Sequence, residues 1–565
     1  MNAKACSRKY LALFILLTLA SPILYAQQIA SCEAVNTPAS SSFDFTESIS
    51  RWGSTDSFDL ESTPYRVRNI TVNKLPIFDE SNSRENNSIH RWVNRVHLET
   101  KSSVILNQLL FTTGDLVNPQ MLAENERLLR QRKYVGESRI RVMQKCEDVI
   151  DLEVVTREVW TLIPGFSFST TGGDSHVSIG VREANAFGTG QRVSAFYSND
   201  AERNSYELGF ENPNIGDAHK FIKIQADDNS DGFHYLAEYS SPFYSLDARD
   251  AWNIAFESTK EMLTQYRFGK KLTEIEHKNE TAELSWGFSR GLKNGMVNRF
   301  TLGLRQENHD YTSGYRLPAP NKPPEDVSLL YPFLQIESIE DNFAVAYNIS
   351  QIYRTEDLSM GKRLLASIGY DPGSRTRVIT TGQFSDTLLS YSKMLLQWNT
   401  DWYGRWNKEN RLWEDAVLNL NIDFHRGQTE KRTLFMGFSA TRAFNLNNGK
   451  QVTLGGSTGL RGFDSHYLNG DGSVRFTIEE RFFSNYHVLQ LFRVGFASFF
   501  DVGKIYGDSE YGAGHTFKNI GLGMRLAPSK SDKGRIIHID VAYPIGSNIA
   551  GGRSAQLVVE AKASF

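Results

Sequence analysis

Residues 416–425 read Ala-Val-Leu-Asn-Leu-Asn-Ile-Asp-Phe-His, and their alternation decides the fold. Ala416, Leu418, Leu420, Ile422 and Phe424 fall on one side of an extended chain. Val417, Asn419, Asn421, Asp423 and His425 fall on the other, because successive strand side chains point to opposite faces. The same period of two returns at Tyr206–Glu211, Ala282–Ser289 and Ile537–Tyr543, with turn-rich stretches such as Asn212–Gly216 and Gly291–Gly295 between such runs. A soluble β-sandwich alternates too. A membrane barrel is favoured by the persistence of the pattern over residues 164–565, by Tyr, Trp and Phe at strand ends, and by an export signal at the N-terminus.

Composition agrees. Charged residues make up 22% of the 565 and aromatic residues 12%, with 43 Gly; the mean hydropathy is −0.40. The chain beyond its first residues has no run of the roughly 18 apolar residues that a spanning helix needs. Strands that alternate lipid-facing apolar with lumen-facing polar side chains give this mixed signal. With strands of about 10 residues plus connections, residues 164–565 suggest a transmembrane β-barrel of about 16 antiparallel strands. The bilayer offers the backbone no water, so the barrel must close.

Lys4, Arg8 and Lys9 precede the apolar run Leu11–Ala20, and Ala26 is a small residue at a plausible cut, so residues 1–26 read as a signal peptide. Removing them takes three positive charges and no negative one, moving the net charge from −3 to −6. No basic excess points to nucleic acid. Cys6 leaves with the signal, and Cys32 and Cys146 remain as candidates for one disulfide in an oxidising compartment. Ile29-Ala30-Ser31-Cys32 also matches a lipid-attachment pattern in a poor context. Residues 27–64, rich in Ser, Thr, Asp and Glu, read as a flexible leader.

Residues 65–163 read strand, helix, helix, strand, strand, a small α/β domain. The second helix starts well, with Asn118 as a cap and Pro119 in the first helical position.

Five motifs are more specific. Leu460-Arg461-Gly462-Phe463 resembles the hydrophobic-Arg-Gly-aromatic signature of the BamA/TamA superfamily, the bacterial surface antigen family. Phe499-Phe500-Asp501-Val502-Gly503 and Glu479-Glu480-Arg481 resemble two of its barrel strands, and Asn185–Gln191 resembles the barrel's opening. The chain ends Ala563-Ser564-Phe565, the pattern of an outer-membrane assembly signal. The resemblance implies a 16-stranded barrel in the outer membrane behind periplasmic POTRA modules that handle polypeptide. Residues 65–163 would be one such module and 164–565 the barrel. Family members that assemble other barrels usually carry several modules; only one is found here.

The same resemblance gives the Arg motif a role. Gly462 permits a tight loop that enters the lumen, and a confined Arg461 needs a carboxylate suited to its planar fork. Asp501 and Glu479 are the candidates. No enzymatic chemistry is expected and no cofactor or metal. Gly455-Gly456-Ser457-Thr458-Gly459 matches a nucleophile elbow without the helix that chemistry requires; His309 and His425 read as lumen-facing polar residues. The expected partners are unfolded outer-membrane or secreted polypeptides and the bilayer itself. The leading function is assembly or translocation of such polypeptides, with Ser138–Gln144 as a client-binding sheet edge and a weak seam between the first and last barrel strands. A two-partner secretion transporter with one dedicated passenger, or a passive surface-antigen barrel, are the alternatives.

Overall fold

The computed structural model describes residues 32–40, 64–216, 219–314, 316–390, 393–447, 449–507, 515–531, 535–546 and 554–562. The export signal, most of the leader and Phe565 lie outside them.

The N-terminal unit is a sheet built on strands Tyr65–Leu75, Val135–Cys146 and Val149–Glu158, covered by helices α1 (Ser88–Val96), α2 (Ser102–Leu106) and α3 (Pro119–Arg130). The first and third of these strands run parallel, the last two antiparallel. α3 begins as its sequence dictates: Asn118 Oδ1 accepts the Met121 N–H at 2.8 Å and Pro119 fills the first turn. Leu122, Asn125 and Leu129 then recur on its inner face, and Leu122 and Leu129 pack with Val67, Ile105, Ile140 and Leu152 in one core. Cys32 and Cys146 are disulfide-bonded, so that sulfur is not free for a lipid. Beside it Glu33 and Ala34 pair with Lys145 and Gln144.

From Leu162 the chain forms a closed antiparallel barrel of 20 strands rather than the 16 expected. The reason is turn length. Thr171 to Asp174, Asn229 to Gly232, Arg267 to Lys270, Lys293 to Met296 and Thr429 to Arg432 each leave only two residues between strands. The saved residues supply extra strands. An even number brings both barrel ends to the side that carries the small sheet.

The alternation reads out as burial. Along Lys270–Lys293, Leu284, Trp286 and Phe288 lie on the outside, whereas Ser285 and Ser289 are buried within. Leu522 is 70% exposed and Leu208 62%. An apolar belt this extensive on an aqueous surface would aggregate; in lipid it is satisfied.

The small sheet is docked on one mouth. Between barrel strands Val327–Glu340 and Arg363–Asp371 lies a hairpin, Phe343–Tyr347 and Thr355–Ser359. Arg130 of α3 donates to Asp357 of this hairpin at 3.0 and 3.1 Å, and Arg127 lies 3.6 Å over the Phe343 ring. Ile352 at its tip packs on Phe483, Ala497, Ala527 and Ile536 of the barrel wall. Elsewhere on the rim, Leu246 N–H donates to Glu124, Asn185 donates to Thr100, and the Lys530 ammonium reaches Glu85.

One expectation fails at the sheet. The outer edge of Val135–Cys146 is not a bare template over Ser138–Gln144. The Ile140 N–H donates to Glu126 at 2.6 Å, and the Ser138 carbonyl accepts from Arg130 at 3.1 Å. The Val142 carbonyl accepts from Asn36 and the Met143 carbonyl from the Val35 N–H. Side chains of α3 and the disulfide-tethered segment thus cap the edge, a standard protection against unwanted strand pairing.

Candidate functional site

The connection between barrel strands Arg432–Phe444 and Gly472–Val488 lies at the mouth opposite the small sheet and folds into the lumen. Its two limbs pair through Val452–Leu454 and Leu468–Gly470. Leu454, Leu460, Phe463, Tyr467 and Leu468 pack against Ile505 and Phe517 of the wall, so the loop carries its own apolar anchor. Phe463 meets Phe517 edge to face, with ring centroids 5.6 Å apart. Gly462 passes so close to the wall that a Cβ there would sit 2.6 Å from Asn519 Cβ. Gly455–Gly459, the false nucleophile elbow, forms a 3-10 turn in the descending limb.

This framework delivers Arg461 to three carboxylates. Its Nε and Nη2 donate to the two oxygens of Asp501, each at 2.9 Å, a forked contact. Its Nη1 donates to Glu479 at 3.1 Å and to Asp540 at 3.2 Å. The guanidinium carbon lies 3.3 Å over the Phe499 ring. Thr477 and Asn519 donate to Asp501 from either side, at 2.9 and 2.8 Å. Arg481 donates to Glu479, and Arg525 reaches both Glu479 and Asp540.

All six charged groups are buried. Three arginines face three carboxylates, so the cluster is neutral as a whole while each member depends on the others. The structure therefore brings together the predicted Arg461, Asp501 and Glu479, with Leu460 and Phe463 beside them as packing residues. It adds Asp540 and Arg525, which sequence reasoning missed. The signal for Asp540 was present: it alternates in phase with His538 and Ala542. Its partner, however, lies 79 residues away in the chain, and no spacing rule reaches that far.

The loop also touches the place where the barrel closes. Among the described residues the first barrel strand, Leu162–Thr171, and the last, Gln556–Lys562, share one register pair, Thr170 with Val559. The last strand and its other neighbour share seven, from Ile536–Lys562 to Ala542–Gln556. At this seam Ser465 N–H donates to the Gly172 carbonyl and Ser465 Oγ to the Thr171 carbonyl, both at 2.8 Å. On the other side Gln556 donates to Asp464 at 3.2 Å. Two consecutive loop residues, three and four places beyond Arg461, thus hold the two seam strands.

His309 stands 3.2 Å from His277, and His425 is buried beside Phe435. Among the described residues no group of three or more His, Cys, Asp or Glu is arranged to hold a metal ion.

No family model matches the chain. Over 135 residues the chain is 35% identical to the outer membrane protein assembly factor BamA of Nitratidesulfovibrio vulgaris, a stretch that covers 22% of this chain and 17% of that protein. The chain thus spans about a sixth of the length of the curated relative it matches. Solved structures with a similar course include BamA from Haemophilus ducreyi lacking POTRA domains 1-3, at 12% identity and a TM-score of 0.35, covering 88% of this chain and 84% of that one. CdiB from Acinetobacter baumannii aligns at 12% identity and a TM-score of 0.38, covering 89% and 74%. The FrpB iron transporter from Neisseria meningitidis aligns at 8% identity and a TM-score of 0.40, covering 80% and 89%. Scores this low do not separate assembly factors from transporters. Over the 135-residue stretch the chain is similar to an outer-membrane assembly factor, and the motif residues that carry its resemblance to the BamA/TamA superfamily are gathered in one lumen cluster.

Proposed function

We propose that this chain assembles or translocates polypeptides at the outer membrane, and that its working part is the seam. One observation carries the reading: among the described residues the closing strands pair at a single position, whereas every other junction of the barrel is a longer ladder. A sheet edge is something proteins suppress, because it templates pairing with another chain. Here the first and last strands hold each other weakly, so a client strand can compete for their free backbone groups by β-augmentation. The Arg461 loop supplies restraint, since Asp464 and Ser465 hold the two sides while the ion cluster fixes the loop. The small sheet acts as a single POTRA module on the periplasmic side, delivering clients to the mouth beneath the seam. Phe565 completes the chain's own assembly signal.

The test is a covalent lock. Thr170→Cys and Val559→Cys, oxidised to a disulfide across the register pair of the described seam residues, should abolish client insertion while the barrel itself stays folded. Reduction should restore it. Undiminished activity in the locked protein would remove the seam from the mechanism. It would leave passage through the lumen, as in a dedicated secretion transporter, as the better account.

A further inference from the structure

Helix α1 is built inside out. Its inward face is polar: His90 stacks on Phe78 with ring centroids 3.9 Å apart, Asn94 bonds both the N–H and carbonyl of Phe78, and His97, at the C-cap, bonds Glu158. Its outward face is apolar. Ile89 is 69% exposed, Trp92 57% and Val96 43%, and Leu98 follows just past the helix at 55%. Positions 89, 92 and 96 fall within one arc of a helix of 3.6 residues per turn. Arg91 and Arg95 are exposed and occupy the flank of that arc. A helix facing water would carry the reverse pattern.

Its surroundings say what covers it. The segment is tied to two rim turns of the barrel. Just after α1, Lys101 N–H donates to Gly188 in the turn following Asp174–Ala186. Just before it, Ile77 and Glu85 receive the Lys530 ammonium from the turn between Phe517–Pro528 and Ile536–Ile545. Between those turns around the barrel lie the first and last strands, so α1 sits at the rim under the seam. The nearby barrel surface belongs to the lipid belt: Leu162 at the start of the first strand and Val181 in the second are exposed, and Phe187 at the first of those turns is exposed as well.

We infer that the Ile89–Trp92–Val96 face of α1 lies in the phospholipid leaflet beneath the seam, with Arg91 and Arg95 on anionic headgroups. An apolar face carrying Trp with arginines along its flank is the pattern of a helix lying in the interface plane. The basic flank complements the lipid phosphates, and the apolar arc continues the barrel's lipid-facing belt. Anchored there, the helix holds the periplasmic unit against the bilayer at the place where a client would enter. The inference rests on the outer-membrane reading, and its test separates the two.

The full chain is purified and reconstituted into vesicles of phosphatidylethanolamine and phosphatidylglycerol, and insertion is checked by heat-dependent gel mobility. Val96→Cys and, as an aqueous control, Ser83→Cys each carry an environment-sensitive fluorophore, with the Cys32–Cys146 pair left oxidised. The label at 96 should be quenched by nitroxide lipids and spared by iodide, with the opposite result at 83. Ile89→Ser with Trp92→Ser should return the label at 96 to iodide, and Arg91→Gln with Arg95→Gln should remove its dependence on phosphatidylglycerol. All four side chains are exposed, so insertion should survive these changes. Equal iodide quenching at 96 and 83 in a correctly inserted barrel would overturn the lipid-docking inference alone. So would shielding that appears only when a protein partner is added. A barrel that fails to insert would count against the membrane reading itself.

Discussion

At the residue scale, Arg461 concentrates the energetics of the loop. Arg461→Ala leaves three buried carboxylates facing two arginines. Breaking a buried pair costs about 3–5 kcal/mol, and screening by lumen water would reduce that toward about 1 kcal/mol. The burial of all six groups favours the upper part of that span. Arg461→Lys should fail nearly as badly, because an ammonium cannot span both Asp501 oxygens as the fork does at 2.9 Å. A double-mutant cycle on Arg461→Ala and Asp501→Ala, read by thermal unfolding in detergent, should show strong coupling. Simple additivity would mean the contact contributes nothing. The same cycle with Asp540→Ala should couple too, which the sequence motif alone would not suggest.

At the element scale, the loop and the seam depend on one glycine. Gly172 has φ +56°, and a Cβ there would sit 2.2 Å from Ser465 N. Gly172→Ala therefore combines backbone strain with a collision that displaces Ser465. With its restraint gone, the seam should gape, and the yield of the Thr170→Cys/Val559→Cys crosslink should drop sharply. An unchanged yield would show that the loop does not brace the closing strands. The hairpin at the other mouth makes a pH-dependent prediction. Glu356 keeps part of its surface accessible yet is enclosed by surrounding atoms, and burial pushes its carboxyl up to about 7, against the lowering effect of the N–H groups of Ile349, Ser350 and Gln351. A carboxyl raised in the folded state favours folding while protonated. Its contribution is full below about pH 4.5 and is lost as the pH rises through about 7. Limited proteolysis of the hairpin should thus be faster at pH 8 than at pH 5. Glu356→Gln, neutral throughout, should flatten that difference; an equally steep profile in the variant would assign the effect elsewhere.

At the scale of the whole molecule, closure predicts heat-modifiable behaviour. Every spanning strand has neighbours on both sides, so the barrel should resist mild detergent and run faster on a gel before boiling than after. Identical mobility in both conditions would contradict the barrel. Deleting residues 65–158 should leave a barrel that inserts but is inactive and melts at a lower temperature. The deletion strips Arg130 from Asp357 and Glu85 from Lys530, leaving part-buried charges uncompensated at the rim. Full activity without the small sheet would point instead to a passive barrel.

Much of this protein could be read in one dimension. Alternation assigned an inside and an outside to the barrel strands, because side-chain direction along a strand is a local property. Asn118 and Pro119 marked the start of α3 for the same reason. The Arg461 motif and its candidate partners Asp501 and Glu479 were legible through the resemblance of their motifs to a known family. Other features depended on tertiary structure. Strand number follows from how short the turns are and how the sheet closes, which alternation does not encode. Asp540 and Arg525 join the cluster because closure brings distant strands side by side. The outer edge of Val135–Cys146 looked open in sequence, but it is capped by Glu126 and Arg130 from a helix packed across it. The first helix of the small domain was legible as a helix, but the direction its apolar face points was not: packing against Phe78 and Glu158 turned its polar side inward. Periodicity says which residues share a face; only the packing of that face against the rest of the molecule decides what it meets.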